Sequence, residues 1–148
     1  MTTTAPATST ADLPNALNMA WAAAFNAGDL EAMMTMYEPD AVLVPGPGAE
    51  PVQGTAAIRG ALQWFLALGG TLHFTPVHFI VAGDLALSSV AFHMEGGHDA
   101  DGNPVPLQGV TSELLRRHSD GTWKYVIDHP FGGGAQMTAC AATASAAR

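Results

Sequence analysis

The sequence predicts an α+β domain in which three N-terminal helices pack on a curved antiparallel sheet. Two patterns support this fold class: apolar residues recur at helical spacing up to Gly70, and β-prone runs alternate with turn sequences after it. The length of 148 residues suits one domain that can bury its own core. A curved sheet wrapped around helices would leave a cone-shaped cavity between the two layers.

The first two helices are bounded by residues that favour helix ends. Asp12 is a favourable N-cap with Pro14 in the first turn, and Gly28 suits the position after a helix. Asp29 can cap a second helix, which Pro39 would end because proline lacks an N–H group. The apolar positions are Leu13, Leu17, Trp21, Ala24 and Phe25 in the first helix, and Leu30, Met33, Met34 and Tyr37 in the second.

A short β-prone run and a third helix follow. Residues 41–44 favour a strand, which the Pro-Gly-Pro-Gly sequence at 45–48 ends. Gly54 and Thr55 open the third helix, and Gly69 and Gly70 end it. Its predicted buried face comprises Ile58, Ala61, Leu62 and Phe65.

Four strands are predicted after Gly70, at residues 72–81, 85–94, 105–118 and 122–131. Pro76 marks a bend or bulge in the first of them, because proline cannot donate to a ladder. Their connections are predicted at the Gly83-Asp84 turn, the polar segment 95–104 and the turn at residues 119–121. Short connections of this kind produce an antiparallel meander.

Composition and charge exclude several classes of function. With 13 acidic and 5 basic side chains the net charge is −8, so the chain lacks the basic surface that nucleic acids and anionic membranes require. No apolar run is long enough to cross a membrane. No dinucleotide-binding glycine fingerprint and no zinc or calcium ligand spacing is present, so we expect no cofactor and no metal. The single cysteine, Cys140, cannot form an intramolecular disulfide.

The chain ends differ in composition from its middle. Thr, Ala, Pro and Ser dominate residues 1–11, and Gly and Ala dominate residues 132–148, so both are predicted to be flexible tails of a domain at 12–131. The N-terminal residues lack the basic and apolar regions of a secretory signal, which predicts a cytoplasmic protein. Charged residues make up only 12% of the chain, as expected of a domain that covers surface in a dimer or lines an internal cavity with apolar groups. We expect a homodimer through the outer face of the sheet.

Three segments together resemble the nuclear-transport-factor-2-like superfamily, and in particular its SnoaL-like and ketosteroid isomerase-like domains. They are Phe25–Val44, Gly54-Thr55 at the start of the third helix, and Ser119–His129. The resemblance spans residues 13–131 and implies a cone-shaped fold. The superfamily includes isomerases, polyketide cyclases, epoxide hydrolases and dehydratases as well as non-catalytic association domains, so the fold does not decide the function.

The resemblance assigns expected roles residue by residue. The isomerase oxyanion tyrosine falls on Trp21, its catalytic base on Pro45 and its oxyanion aspartic acid on Glu113, so two of the three catalytic groups are missing and only a carboxylic acid is kept. Tyr37 matches a tyrosine of the isomerase hydrogen-bond network. Steroid isomerisation by that mechanism is therefore not expected.

The epoxide hydrolases use an Arg-x-Asp pair on one strand with an Asp on the last strand. The matching positions are Thr111, Glu113 and Asp128, so the arginine is absent and two carboxylates remain. Strand alternation alone would place the face of Trp123, Tyr125 and Ile127 inward and Asp128 in solvent, whereas the resemblance favours Asp128 inward. Two carboxylates in one apolar cavity would titrate at separated pKa values, giving an acid and a base.

Other candidates support this site. His129, His78, His73 and His93 are candidate acid–base groups, because histidine titrates near neutral pH and the dehydratases of the superfamily pair one with a carboxylate. Each of these histidines is also compatible with an ordinary surface position. The candidate pocket-lining residues are Trp21, Phe25, Trp64, Val90, Phe92 and Leu115, all of which also suit an ordinary core.

The sequence favours a cofactor-independent enzyme that performs acid–base chemistry on an apolar or polyketide-like small molecule. Isomerisation, cyclisation, epoxide opening and dehydration stay open as reactions. The expected catalytic residues are Asp128 as base or water-positioning group, Glu113 as proton donor or oxyanion partner, and Tyr37 and His129 in support. The alternatives are a non-catalytic ligand-binding or association module, and an accessory protein that shapes or protects an intermediate.

Overall fold

A computed structural model describes residues 16–133. Three helices precede most of the sheet, as predicted: α1 at Ala16–Asn26, α2 at Leu30–Met34 and α3 at Thr55–Ala67. The predicted α+β class is confirmed. The Asp12 cap, Cys140 and most of both predicted tails lie outside the described residues. No helix within residues 16–133 is long and apolar enough to span a membrane.

The helix ends follow the predicted signals. Gly28 adopts a φ of +70° just after α1, a conformation that glycine adopts without strain. The Asp29 side chain caps α2 by accepting from the Ala32 N–H at 3.0 Å. In α3, Ile58, Leu62 and Phe65 are buried against the sheet, as the helical spacing predicted. These contacts position the helices that cover one side of the cavity.

The second helix is shorter than predicted. It ends at Met34, and Tyr37 begins strand β1 (Tyr37–Leu43) instead of belonging to the helix. The Thr35 hydroxyl donates to the Ala32 carbonyl at 2.6 Å and the chain then leaves the helix. Pro39 is tolerated inside β1 because the register between β1 and its partner strand shifts between Tyr37 and Val42. This change moves Tyr37 from a helix face into the sheet, where it is buried beside Tyr125.

Within residues 16–133, seven strands form one curved sheet. The strands after β1 are β2 (Val52–Gln53), β3 (Thr71–Ala82), β4 (Leu85–Glu95), β5 (Gln108–Val110), β6 (Ser112–Arg117) and β7 (Trp123–His129). Their order is β2-β1-β7-β6-β4-β3, with β5 beside β4. All described pairs are antiparallel except β1 with β7, which is parallel. The meander is thus confirmed from β3 onward and extended by β1 and β2, whose pairing the sequence did not predict.

Irregularities interrupt the strands predicted at residues 72–81 and 105–118. The register of β3 against β4 shifts at Pro76, where a bulge was predicted. The strand predicted at 105–118 is divided at Thr111, whose hydroxyl accepts the Val90 N–H at 2.9 Å in place of a ladder carbonyl. The Ser89 hydroxyl donates to the Thr111 carbonyl at 2.7 Å. The divided strand turns toward β7 and carries Glu113 inward.

A bulge in β7 decides which side chains face the cavity. Leu114 pairs with Ile127 and Leu115 pairs with Tyr125, which leaves Val126 as an extra residue. Tyr125 and Asp128 are consequently both buried, although strict alternation would place them on opposite faces. The expectation from alternation was therefore right for Tyr125 and wrong for Asp128 and for Ile127, which is 41% exposed. The inward position implied by the resemblance was right for Asp128.

Candidate functional site

An apolar cavity lies between the helices and the inner face of the sheet. The volume inside it that a water-sized molecule can occupy is about 40 Å³. Trp21 and Phe25 of α1 and Phe92 of β4 line it, as predicted. The Trp21 ring stacks on Phe25 and Phe74 with centroids 5.7 and 6.0 Å apart. These walls suit an apolar ligand, since polar groups enter the cavity at few points.

Three predicted lining residues lie elsewhere. Trp64 is 54% exposed on the outer side of α3, in a surface groove that also contains Pro45. Helical geometry explains this position, because Trp64 directly precedes the buried Phe65. Val90 and Leu115 are fully buried in the core and do not line the cavity. The prediction of a cavity role was wrong for these three residues.

Glu113 and Asp128 form the polar end of the cavity. They are direct cross-strand partners on β6 and β7, and both line the cavity. Their exposed fractions are 3% and 6%. Burial, followed by the charge of Asp128, raises the pKa of Glu113 from 4.5 to about 8. Burial also raises the pKa of Asp128, from 3.8 to about 6. At pH 7 Asp128 is thus an ionised carboxylate and Glu113 a neutral carboxylic acid.

A hydrogen bond from Tyr37 limits how far burial raises the pKa of Asp128. The Tyr37 hydroxyl donates to Asp128 Oδ2 at 2.6 Å, which favours the ionised carboxylate and offsets part of the burial. The Trp21 Nε1–H donates to the Tyr37 oxygen at 2.9 Å. Burial and the Asp128 charge raise the pKa of Tyr37 well above its usual range, so this hydroxyl stays a donor. Trp21 and Tyr37 therefore orient the carboxylate.

Glu113 has a less complete set of partners. The hydroxyls of Ser88 and Thr111 lower its pKa but less strongly than burial raises it. Both hydroxyl oxygens already accept a hydrogen bond, from the Asn18 amide and from the Val90 N–H, so their own hydrogens can face Glu113. The buried Glu113 Oε2 has no hydrogen-bond partner among the described residues. A ligand in the cavity can supply that partner.

The sequence reasoning missed a buried polar chain beneath the two carboxylates. The Tyr125 hydroxyl donates to Asn18 Oδ1 at 2.6 Å, and the Asn18 amide donates to Ser88 Oγ at 2.6 Å. Asn18 is only 1% exposed. One signal pointed to it: Asn18 is a polar residue one turn before Trp21 on the helix face predicted to be buried. Its partners come from strands 70 and 107 residues away, which the sequence does not reveal.

The candidate histidines do not line the cavity. His73, His78 and His93 are exposed on β3 and β4. His129 is half-buried and follows Asp128 directly, so its side chain points to the opposite face of β7. Its Nδ1 is buried without a partner among the described residues. A histidine–carboxylate pair of the dehydratase type is therefore not formed here by residues 16–133.

The two carboxyl groups can accept a proton from a bound molecule and donate a proton to it within the same cavity. A carboxylate accepts a proton, a neighbouring carboxylic acid donates one, and an apolar wall excludes bulk water. Sharing of one proton between two buried acids is expected, because two charged carboxylates on directly paired strand positions repel in a medium of low polarity. The site contains no cationic side chain among its lining residues.

Comparison with known proteins relates this chain to SnoaL-like domains. A sequence model of the SnoaL-like domain matches residues 19–126. Over 51 residues the chain is 45% identical to the epoxide hydrolase LasB of Streptomyces lasalocidi, a segment that is 34% of this chain and 17% of that protein. The chain thus aligns with a small part of that relative.

Solved structures are similar over most of the chain. A ketosteroid isomerase-like protein from Erwinia carotovora atroseptica matches with a TM-score of 0.69 and 24% identity, over 82% of this chain and 95% of that one, and shows the fold alone. A Streptomyces avermitilis protein, described provisionally as a dehydratase of the NTF2-like family, matches with a TM-score of 0.62 and 25% identity over 76% and 88%. A Thiobacillus denitrificans domain described provisionally as a calcium/calmodulin-dependent protein kinase type II association domain matches with a TM-score of 0.64 and 25% identity over 78% and 91%.

Proposed function

We propose that this chain, which belongs to the SnoaL-like family of the nuclear-transport-factor-2-like superfamily, is a cofactor-independent acid–base enzyme for an apolar small molecule. One observation carries the proposal: Glu113 and Asp128 are paired in an apolar cavity with pKa values of about 8 and about 6. Burying two carboxyl groups costs stability, and binding an apolar ligand does not require it. An enzyme that needs an acid and a base at pH 7 does require it.

Epoxide opening is the reaction that this pair serves best. Asp128 would remove a proton from a water or substrate hydroxyl whose oxygen attacks an epoxide carbon. The bond between this carbon and the epoxide ring oxygen would break, and Glu113 would give its proton to that ring oxygen. The step leaves Asp128 protonated and Glu113 ionised, and exchange with solvent restores both. The sequence similarity to an epoxide hydrolase supports this choice over isomerisation, cyclisation or dehydration, which use the same two roles.

The test uses small apolar epoxides in ¹⁸O-labelled water, with the labelled diol measured by mass spectrometry. We expect Asp128→Asn and Glu113→Gln each to lower kcat by about 10²- to 10⁴-fold, since each removes one proton-transfer group. Asp84→Asn, an exposed aspartate in the β3–β4 turn, is the matched control and should retain activity. Turnover by a folded Asp128→Asn variant at the wild-type rate would exclude this mechanism.

A non-catalytic module is the second candidate function. The position of the isomerase base is Pro45, which lies in the outer groove with Trp64, and the position of the epoxide hydrolase arginine is Thr111. The structural similarity to an association-type domain also favours it. Saturable binding of the epoxides without any turnover, unaffected by Asp128→Asn, would support this alternative.

We further propose a homodimer through the outer face of the sheet. An apolar stripe crosses five strands there, because successive cross-strand partners are all aliphatic. The stripe consists of Ile80, Leu87, Leu114, Ile127 and Val42. Ile80 and Leu87 are 58% and 46% exposed, which is costly for a surface that stays in water. A second copy would bury this stripe without placing a charge on it.

A further inference from the structure

A cluster of potential metal ligands lies on the outer face of the β3–β4 ribbon. It consists of His73, His93 and Glu95, and we call it the His73 cluster. The ligand atoms of the three side chains all lie within 4.8 Å of one another. All three residues are exposed, so an ion can reach them from solvent. None of them belongs to the cavity described above.

Strand pairing builds this cluster. His73 and His93 are direct cross-strand partners, and Glu95 lies two residues beyond His93 on the same face of β4. The two imidazole rings stack with centroids 4.7 Å apart and planes 13° apart. The three side chains are thus held side by side by a long, regular ladder and need no loop to bring them together.

The ligand atoms are also close to one another. His73 Nε2 is 3.4 Å from Glu95 Oε2, and His93 Nε2 is 3.6 Å from Glu95 Oε1. In a tetrahedral site with metal–ligand bonds of about 2.0–2.1 Å, neighbouring ligand atoms lie about 3.3 Å apart. The separations between each imidazole nitrogen and the carboxylate are therefore close to those of a metal-bound set. Small rotations of exposed side chains would complete the approach.

We propose that the His73 cluster binds one divalent transition-metal ion of the zinc type, with a water molecule in the fourth position. Two imidazole nitrogens and one carboxylate oxygen suit Zn²⁺, Ni²⁺ or Cu²⁺, whereas Mg²⁺ and Ca²⁺ prefer sites made of oxygen ligands. The sequence did not indicate this site, because His73 is 20 residues away from His93 and only the β3–β4 register joins them.

The ion would join two strands whose opposite face forms the cavity wall. Leu72, Phe74, Phe92 and Met94 alternate with the two histidines and line the cavity. An ion bound on the outer face therefore links β3 to β4 without contacting Glu113 or Asp128. Its expected effect is to stabilise the folded chain, since the ion binds the folded state only.

The test is a titration of the metal-free full-length protein with ZnCl₂ and, separately, NiCl₂ by isothermal calorimetry. We expect one ion per chain with a dissociation constant in the micromolar range. His93→Ala and Glu95→Gln should each weaken binding by at least about tenfold, as the loss of a direct ligand exceeds the usual effect of losing a supporting group. The matched control is His78→Ala, an exposed histidine on β3 outside the cluster, which should bind like wild type.

Thermal unfolding gives a second measurement. Zn²⁺ should raise Tm for the wild type and for His78→Ala, and leave Tm unchanged for His93→Ala, with circular dichroism confirming that each variant folds. The proposal is overturned if the wild type shows no saturable binding below millimolar metal. It is also overturned if His93→Ala binds as tightly as wild type, because the ion would then occupy other groups.

Discussion

The substitution Glu113→Gln is expected to stabilise the protein at alkaline pH. Glu113 has a pKa of 4.5 when solvated and about 8 in the fold, because burial and the charge of Asp128 oppose its ionisation. Between these two values the folded state holds a proton that the unfolded state has released. Stability therefore falls as pH rises through this window, and the contribution of the neutral acid is complete only below pH 4.5.

The size of the stability loss follows from the difference between the pKa values of Glu113 in the unfolded and folded states. From 4.5 to about 8, at about 1.4 kcal/mol per pH unit, the wild type loses about 5 kcal/mol of unfolding free energy. Glutamine keeps the shape of Glu113 and cannot ionise, so it removes this loss. The gain is an upper limit because the amide must also be buried. Asp128, raised from 3.8 to about 6, keeps its own pH dependence below pH 6 in both proteins.

The assay is urea unfolding at half-unit steps from pH 5 to pH 9. The wild-type unfolding free energy should decline by about 1.4 kcal/mol per unit between pH 6 and 8, whereas that of Glu113→Gln should stay level there. Glu50→Gln, at an exposed glutamate, should follow the wild-type curve. Parallel curves for wild type and Glu113→Gln would refute the assignment of a buried neutral acid at this position.

Three further predictions concern the site and the assembly. The kcat/KM of the proposed epoxide opening should follow a bell-shaped pH curve, rising as Asp128 ionises near pH 6 and falling as Glu113 ionises near pH 8, and a flat profile over pH 5–9 would contradict the assigned roles. Tyr37→Phe removes the hydrogen bond that lowers the Asp128 pKa, so the rising limb should move to higher pH and kcat/KM at pH 6 should fall by about tenfold, as measured by the same profile. The double variant Leu87→Lys/Ile127→Lys should be monomeric by light scattering after gel filtration. Val81→Lys, an exposed residue outside the apolar stripe, should keep the wild-type mass. Equal masses for the wild type, the double variant and Val81→Lys would exclude a dimer through this face.

Local sequence signals were sufficient for most of the elements and for the family. Helical spacing and capping residues predicted α1 and α3, and turn sequences predicted the strands from β3 onward. These features depend on neighbouring residues, so a single sequence contains them. The segments around Gly28, Gly54 and Gly121 carried the resemblance, and the predicted nuclear-transport-factor-2-like fold is confirmed.

Tertiary contacts overrode local preference at two places. Residues 35–38 continue a helical pattern, yet the chain leaves α2 at Met34 because Tyr37 pairs with Tyr125 in the parallel β1–β7 ladder. Trp64 suited a pocket by its size and apolar character, but the phase of α3 turns it outward while Phe65 is buried. Neither outcome follows from residue type, because each depends on which surface the rest of the chain presents.

The sequence by itself determined the α+β class and the family, and it indicated the two carboxyl groups of the candidate site. Only the tertiary structure decided that both face one cavity, because the extra residue Val126 in β7 changes the inward face partway along the strand. It also assembled Asn18, Tyr125 and Ser88 beneath them and placed His73 beside His93 on the other face. Register and bulges arise from pairing between distant segments, and a one-residue shift exchanges every inward side chain for its outward neighbour.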